Sequence, residues 1–252
     1  NETFVSALTR ADRDAVHVNA GNIDTGPDHH LLLTQRWLAE RRPARLVLHL
    51  FGGNDLVDLD RPDPCCAGKP LLSYAEAGAK ATCGSLEWQL DMPLALVQSP
   101  PPYLMQVAAR DLRLGALACA AVRPTAALVG RVFRVWDAAA ADTPERWEHL
   151  AAVLRAFSAL AARASIPLDV VVLPERDLIV GGEDSAAAKR HDRIVALSRS
   201  QGITTHDGWP LIQELVDREG AEKWFARTQA NDYHFSAAGH AEVAAWLRRR
   251  WR

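Results

Sequence analysis

Asp232 and His234 stand two residues apart, immediately before a segment with helical spacing. In such a loop the imidazole can turn into a crevice while the carboxylate binds its other ring nitrogen and fixes the tautomer. This spacing is typical of a general base with its orienting acid. A loop that only caps a helix can contain the same residues, so the pair alone leaves both interpretations open.

A second group, Gly52-Gly53-Asn54-Asp55, follows the apolar run Leu46 to Phe51. The glycines permit unusual backbone angles, and the Asn54 side-chain amide can donate a hydrogen bond into a crevice. An amide in that position suits the stabilisation of an oxyanion. A plain turn is the competing interpretation.

The elements that must position these groups alternate between short apolar runs and longer segments with helical spacing, which predicts an α/β layered fold with a parallel sheet. The predicted strands are Val16 to Asn19, Leu46 to Phe51, Leu168 to Leu173 and Ile203 to His206. The predicted helices are Asp28 to Arg41, Pro144 to Ala164, Asp184 to Ser200 and Ser236 to Arg249, with Asp28, Thr143, Asp184 and Ser236 as N-caps. In open α/β sheets, ligands bind beyond the carboxyl ends of the strands, where both groups are expected.

We predict one domain over residues 1–252, interrupted by an insertion at 58–102 that is rich in Pro, Gly and Cys and has little periodicity. An Ala/Leu-rich helix from Tyr103 to Ala121 is expected to return the chain to the scaffold. Cys83 is predicted to pair with Cys65 or Cys66, which would require an oxidising compartment. Cys119 could take the remaining cysteine, and four buried thiols are the alternative.

Composition excludes several classes of function. The formal net charge is −2, and only residues 248–252 concentrate basic residues with an interleaved aromatic residue, which argues against a nucleic-acid partner. No apolar run approaches the roughly 18 residues of a membrane span, and no signal peptide opens the chain. Since the chain begins at Asn1 rather than Met, we expect that an upstream segment has been removed.

Taken together and in this order, these blocks resemble the SGNH (GDSL-like) hydrolase superfamily. Asn54 matches the asparagine of its third block, and Asp232 and His234 match its last block, with residues 235–240 as the continuation into a helix. Val18-Asn19-Ala20-Gly21 resembles the second block. The resemblance implies a three-layer α/β/α sandwich with a mainly parallel sheet, similar to flavodoxin.

Two departures accompany the resemblance. The Gly-Asp-Ser block that carries the nucleophile is absent, so we expect the chain to begin just downstream of its own serine. The position of the oxyanion-hole glycine holds Asp24, flanked by Gly21 and Gly26, which are the remaining candidate backbone donors. Ser185 is better explained as a capping residue than as a nucleophile.

The resemblance implies a serine ester hydrolase or O-acyltransferase, with His234 as base then acid, Asp232 orienting it and Asn54 stabilising the oxyanion. It implies an extracytoplasmic enzyme acting on an acyl ester, such as an acetylated polysaccharide, behind an upstream membrane anchor. No cofactor or metal is expected: His29 and His30, as helical neighbours, point in different directions and do not complete a metal site. The alternative is a non-catalytic module of the same fold that binds a glycan or a protein partner.

Overall fold

The computed structural model describes residues 3–12, 14–20, 26–52, 55–59, 71–75, 78–83, 86–90, 142–226 and 234–251. The chain divides into two compact units. The first contains Asn1–Asn22, Arg45–Asp55 and Leu168–Arg252, and the second contains Ile23–Ala44 and Leu56–Pro167. The predicted single domain over 1–252 stays a prediction.

The described elements form a mixed α/β fold. The strands are β1 Leu46–Phe51, β2 Leu71–Ala75, β3 Gly78–Cys83, β4 Leu86–Leu90, β5 Leu168–Leu173 and β6 Thr204–Asp207. The helices are α1 Phe4–Ala11, α2 Pro27–Glu40, α3 Asp55–Asp58, α4 Pro144–Ala164, α5 Arg176–Gly181, α6 Ala186–Ser200, α7 Trp209–Glu219, α8 Ala221–Trp224 and α9 Ala237–Arg250.

The first unit is built on a parallel sheet in the order β1-β5-β6. Leu46 pairs with Leu168 and Phe51 with Leu173, so β1 and β5 run in register from end to end. The central strand β5 is buried from its second residue onward. This confirms the predicted parallel pairing, because a continuous apolar run such as LDVVVL suits a strand covered on both faces.

The core of the first unit joins β5 to helices on either side of it in sequence. It includes Leu8 of α1, Leu178 of α5, Ile212 of α7 and Leu247 of α9, each no more than 3% exposed. The helices therefore present apolar faces to a shared interior. Among the described residues, no helix combines the length and apolar character that a membrane crossing needs.

The second unit contains α2, α4 and a separate antiparallel sheet in the order β2-β3-β4. Its longest helix, α4, begins at Pro144 after the N-cap Thr143, whose side chain accepts a hydrogen bond from the Arg146 amide. This helix and its cap confirm the prediction. The antiparallel sheet lies inside the predicted insertion at 58–102, and the insertion itself stays a prediction.

The predicted strand Val16 to Asn19 is also wrong. Residues 15–20 adopt no regular structure, and Val16 and Val18 are 88% and 54% exposed. The β-branched residues favour extended backbone, but a strand also needs a neighbouring strand, and none of the described strands pairs with this segment.

Two helices begin at other N-caps than predicted: Gly26 instead of Asp28, and Ser185 instead of Asp184. Helix α2 begins at Pro27 with Gly26 as its N-cap, and Asp28 lies inside the first turn. Helix α6 begins at Ala186 after Ser185, whose hydroxyl accepts from the Ala188 amide at 3.1 Å. The capping role expected for Ser185 is therefore present. The predicted helix Tyr103 to Ala121 lies outside the described residues.

Candidate functional site

His234 lies at the carboxyl end of β1. Its ring stacks on the ring of Phe51, with centroids 6.3 Å apart and planes inclined by 20°. Phe51 is the last residue of β1, and Asn54 follows three residues later in the chain. The His234 side chain is exposed, so the imidazole is open to solvent at the edge where parallel-sheet proteins bind ligands.

The backbone on both sides of His234 is held in place. The Ala226 amide donates to the His234 carbonyl at 2.9 Å, and the Ser236 amide donates to the Trp224 carbonyl at 2.9 Å. Between these bonds, Phe225 and Phe235 form an antiparallel bridge, and their rings stack at 5.1 Å. An exposed histidine on such a short, fixed segment is well positioned to act on a bound molecule.

The helix that follows begins with a complete N-cap. The Ser236 hydroxyl accepts from the Gly239 amide at 3.1 Å and donates to the Lys223 carbonyl at 2.7 Å. A Cβ on Gly239 would lie 2.5 Å from the Trp224 carbonyl oxygen, so this position requires glycine. The Ser236 hydroxyl is occupied by the cap and is not a nucleophile for His234.

The turn after β1 is closed by Asp55. Its carboxylate Oδ2 accepts a hydrogen bond from the Phe51 amide at 2.7 Å. Residues 51 and 55 are thereby tied across the Gly52-Gly53-Asn54 turn. Asp55, which follows the candidate oxyanion donor Asn54 in the sequence, thus has a structural role.

Four of the residues singled out from the sequence, Asn54, Asp232, Gly21 and Asp24, lie outside the described residues. Gly26 is described: it is the buried N-cap of α2, and a Cβ there would come within 2.9 Å of the Asp58 backbone. Its glycine identity is explained by this close packing within the second unit. The structure thus brings His234 to the strand end that leads to Asn54, and the other pairings stay predictions.

Sequence reasoning missed a buried ion pair at the same edge. Glu175, just after β5, accepts a hydrogen bond from the Arg190 Nη2 at 2.7 Å, and the two residues are 4% and 6% exposed. The Glu175 Oε1 lies 3.9 Å from the position that a Cβ on Gly52 would occupy. Burial raises the pKa of Glu175, although Arg190 opposes that shift. Applying the strand-end rule to β5 as well as to β1 would have found Glu175.

His191 and Asp207 form a second missed pair. The His191 Nε2 lies 2.8 Å from the Asp207 Oδ1, which also accepts from the Trp209 amide at 2.9 Å. Burial alone would raise the pKa of Asp207, but these two hydrogen bonds, together with the charges of His191 and Arg199, outweigh it and hold that pKa below its usual range. Because His191 is only 1% exposed, it cannot meet a substrate, and the pair acts in positioning α6 against β6 and α7.

His240 lies one helical turn beyond the start of α9, close to His234. Its ring lies 5.9 Å from that of Phe235 and 6.3 Å from that of Phe4, and its buried Nδ1 has no hydrogen-bond partner among the described residues. Burial lowers the pKa of His240, and the charge of His234 lowers it further.

Within the described ranges, no three His, Cys, Asp or Glu side chains are close enough to hold a metal ion. Among the described residues, the exposed imidazole of His234 beside Phe51 is the group at this edge that can do acid-base chemistry. Comparison with protein-family models, with curated proteins and with solved structures finds no match for this chain.

Proposed function

We propose that the chain is the main part of a serine ester hydrolase or O-acyltransferase of the SGNH type, with a three-layer α/β/α sandwich. The observation that carries this proposal is the position of His234, stacked on Phe51 at the end of β1 and three residues before Asn54. It supports the prediction that the base and the oxyanion donor face one crevice.

In the proposed reaction, a serine Oγ attacks the acyl carbonyl carbon while His234 takes the serine proton. Asp232 holds the imidazole in the required tautomer, and Asn54 donates a hydrogen bond to the tetrahedral oxyanion. His234 then gives the proton to the leaving alkoxide, which leaves an acyl-enzyme. Water or an acceptor hydroxyl attacks that ester by the same steps in reverse, which yields hydrolysis or acyl transfer respectively.

We propose that the serine lies outside the described part of the chain. There, no serine hydroxyl contacts His234, and the hydroxyls of Ser185 and Ser236 serve as helix caps. We propose that it follows an upstream strand that pairs with the outer edge of β1. Such a strand, parallel to β1, would end beside Phe51 and bring its serine to His234.

The composition of β1 supports a further strand beside it. The run LVLHLF is apolar at five of six positions, as in the interior strands of parallel sheets that are covered on both faces, yet β1 stands at an edge of the described sheet. Val47 is 39% exposed. A long apolar edge strand invites pairing with another chain unless it is covered.

The substrate class and location rest on the resemblance. We propose an acyl ester on a carbohydrate, such as an acetylated polysaccharide, and an extracytoplasmic enzyme whose upstream segment includes a membrane anchor. The predicted disulfide of Cys83 with Cys65 or Cys66 suits that compartment. No cofactor is needed for this chemistry.

A non-catalytic module that binds a glycan or protein partner is the second candidate. One observation favours it: among the described serines, no hydroxyl forms a hydrogen bond with His234. Asp24, at the position of an oxyanion-hole glycine, would also oppose a developing oxyanion. The exposed imidazole of His234 argues for the catalytic proposal.

The test is hydrolysis of a small acetyl ester by four proteins: the 252-residue chain, the chain extended upstream through a Gly-Asp-Ser segment, and the extended chain carrying His234→Ala or His17→Ala. We expect activity only in the extended chain and in its His17→Ala control. Activity of the short chain would mean that the nucleophile is misassigned. Inactivity of all four on several acyl donors would favour the binding module.

A further inference from the structure

A groove of about 410 Å³ lies between α1 and α9, away from the candidate catalytic edge. Three arginines from the two helices line it: Arg10, Arg248 and Arg249. The rest of its lining is alanine from both helices, including the buried Ala7 and Ala244. The small side chains leave an apolar floor beneath three guanidinium groups.

The groove carries a net positive charge. Among the described residues no carboxylate lines it. Asp12, the residue that ends α1, is bound to the His17 ring at 3.3 Å and to the Asp14 amide at 3.2 Å. Those two bonds, followed by the charges of His17 and Arg248, lower the pKa of Asp12, so it stays ionised and engaged.

The Arg248 side chain is the feature of the groove that most directly points to a bound anion. Its Nε is buried and has no hydrogen-bond partner among the described residues. A buried guanidinium N–H without an acceptor is costly, and arginine is otherwise paired when its polar atoms leave water. Basic residues in the last turn of α9 also interact favourably with the dipole of that helix. That role does not explain why Arg10 of α1 lines the same groove.

We propose that this groove binds a phosphate group borne on a ligand with apolar neighbouring atoms. One guanidinium group can donate two parallel hydrogen bonds to the oxygens of a phosphate. Several arginines together can balance a phosphate group, whose negative charge can exceed that of a single carboxylate. The alanine floor can contact the carbon atoms attached to a phosphodiester. The shared chemistry is a phosphate ester, whose source is a phospholipid headgroup or a free phosphate compound.

The groove is separate from the proposed catalytic site. Helix α9 begins at Ala237, three residues after His234, and Arg248 lies eleven residues further, roughly 16 Å along the helix axis. Trp251, just beyond the helix, donates to Asp169 near the amino end of β5. The arginines therefore lie toward the opposite edge of the sheet from Phe51 and His234.

Calorimetric titration of the 252-residue chain tests the proposal with four probes: inorganic phosphate, soluble dihexanoyl-phosphatidylglycerol, phosphatidylglycerol vesicles and, as a carboxylate control, oligogalacturonate. Binding is expected to weaken by roughly tenfold or more in the Arg248→Gln/Arg249→Gln variant. Arg218→Gln removes an exposed arginine from α7, outside the groove, and is expected to leave binding unchanged. Saturable binding of phosphate alone would indicate a free phosphate compound, and binding of the lipid forms only would indicate a headgroup.

A second variant keeps the arginines and blocks the groove. Ala241 is exposed and lines it, so Ala241→Glu places a carboxylate among the guanidinium groups without disturbing the core. We expect it to abolish binding while the melting temperature stays close to that of the parent. The proposal is overturned if no phosphate probe binds, if Arg218→Gln weakens binding as much as the double variant, or if oligogalacturonate binds as tightly as the phosphate probes.

Discussion

Charged side chains buried at the carboxyl edge of the sheet are paired with each other, which leaves His234 as an exposed group beside Phe51. The Glu175 carboxylate lies near Gly52 and is paired with Arg190, and His191 and Asp207 form a second pair on the same edge. Buried pairs of this kind contribute little net stability, yet they are sensitive to the loss of one partner. They are therefore suited to hold the edge in one arrangement.

Removing one partner of the Glu175–Arg190 pair is expected to be strongly destabilising. Arg190→Met leaves a buried carboxylate and should lower the free energy of unfolding by about 3–5 kcal/mol, whereas Glu175→Gln/Arg190→Met together should recover most of that loss. Urea unfolding measures both. Arg218→Met, which breaks only exposed ion pairs, is expected to change stability by less than about 1 kcal/mol. An Arg190→Met loss no larger than this control would contradict the assignment.

His240 is expected to make the native state sensitive to mild acid. Its pKa is lowered in the folded protein, so the unfolded chain takes up a proton near the ordinary histidine value of about 6.5 before the native state does. Stability should therefore fall as the pH drops from 7 to 5. His240→Gln removes this contribution, and its free energy of unfolding should decline less over the same range. Equal declines in parent and variant would show that His240 titrates alike in both states.

At the scale of elements, the start of α9 fixes the position of His234. Ser236→Ala removes the cap bond to the Gly239 amide and should lower the free energy of unfolding by about 1 kcal/mol. Ser185→Ala removes the equivalent cap of α6 and should lower it by a similar amount. We expect the ring NMR signals of His234 and Phe51 to move only in Ser236→Ala. Movement of those signals in both variants, or in neither, would argue against this role for the cap.

Elements with one unambiguous pattern could be predicted from the sequence. The bounds of β1, β5 and α4 match the predictions, because their apolar runs or helical spacing continue to a clear turn or cap. The pattern Val16 to Asn19 was also apolar at alternate positions, but a strand depends on a partner that local sequence does not contain. The strands β2 to β4 pair with one another in a Pro- and Cys-rich region whose composition obscures that pairing.

The candidate site could be predicted only in part, for the same physical reason. His234 was found because a histidine before a helix stands out, and its stacking on Phe51 agrees with the expected sheet edge. Glu175 and Arg190 are fifteen residues apart in the sequence, so only the fold brings them into contact with each other. Long-range pairs of this kind leave no local signal in a single sequence.

At the scale of the whole molecule, the cysteines bear on where the protein works. We expect Cys83 to pair with Cys65 or Cys66, closing a loop of sixteen or seventeen intervening residues and contributing roughly 3 kcal/mol. Thiol titration of the denatured, unreduced protein should then find at most two free thiols. Four free thiols would contradict the pairing and remove its support for an extracytoplasmic location.

The central claim is that the edge carrying His234 performs acyl transfer with an upstream serine. Its most direct test is covalent labelling of the extended chain with an alkyl fluorophosphonate, read by peptide mass spectrometry. The serine Oγ attacks phosphorus, fluoride leaves and His234 takes the proton. We predict a single adduct on the Gly-Asp-Ser serine, slowed by at least about a hundredfold in His234→Ala. An adduct on any serine of residues 1–252, or labelling unaffected by His234→Ala, would contradict the account.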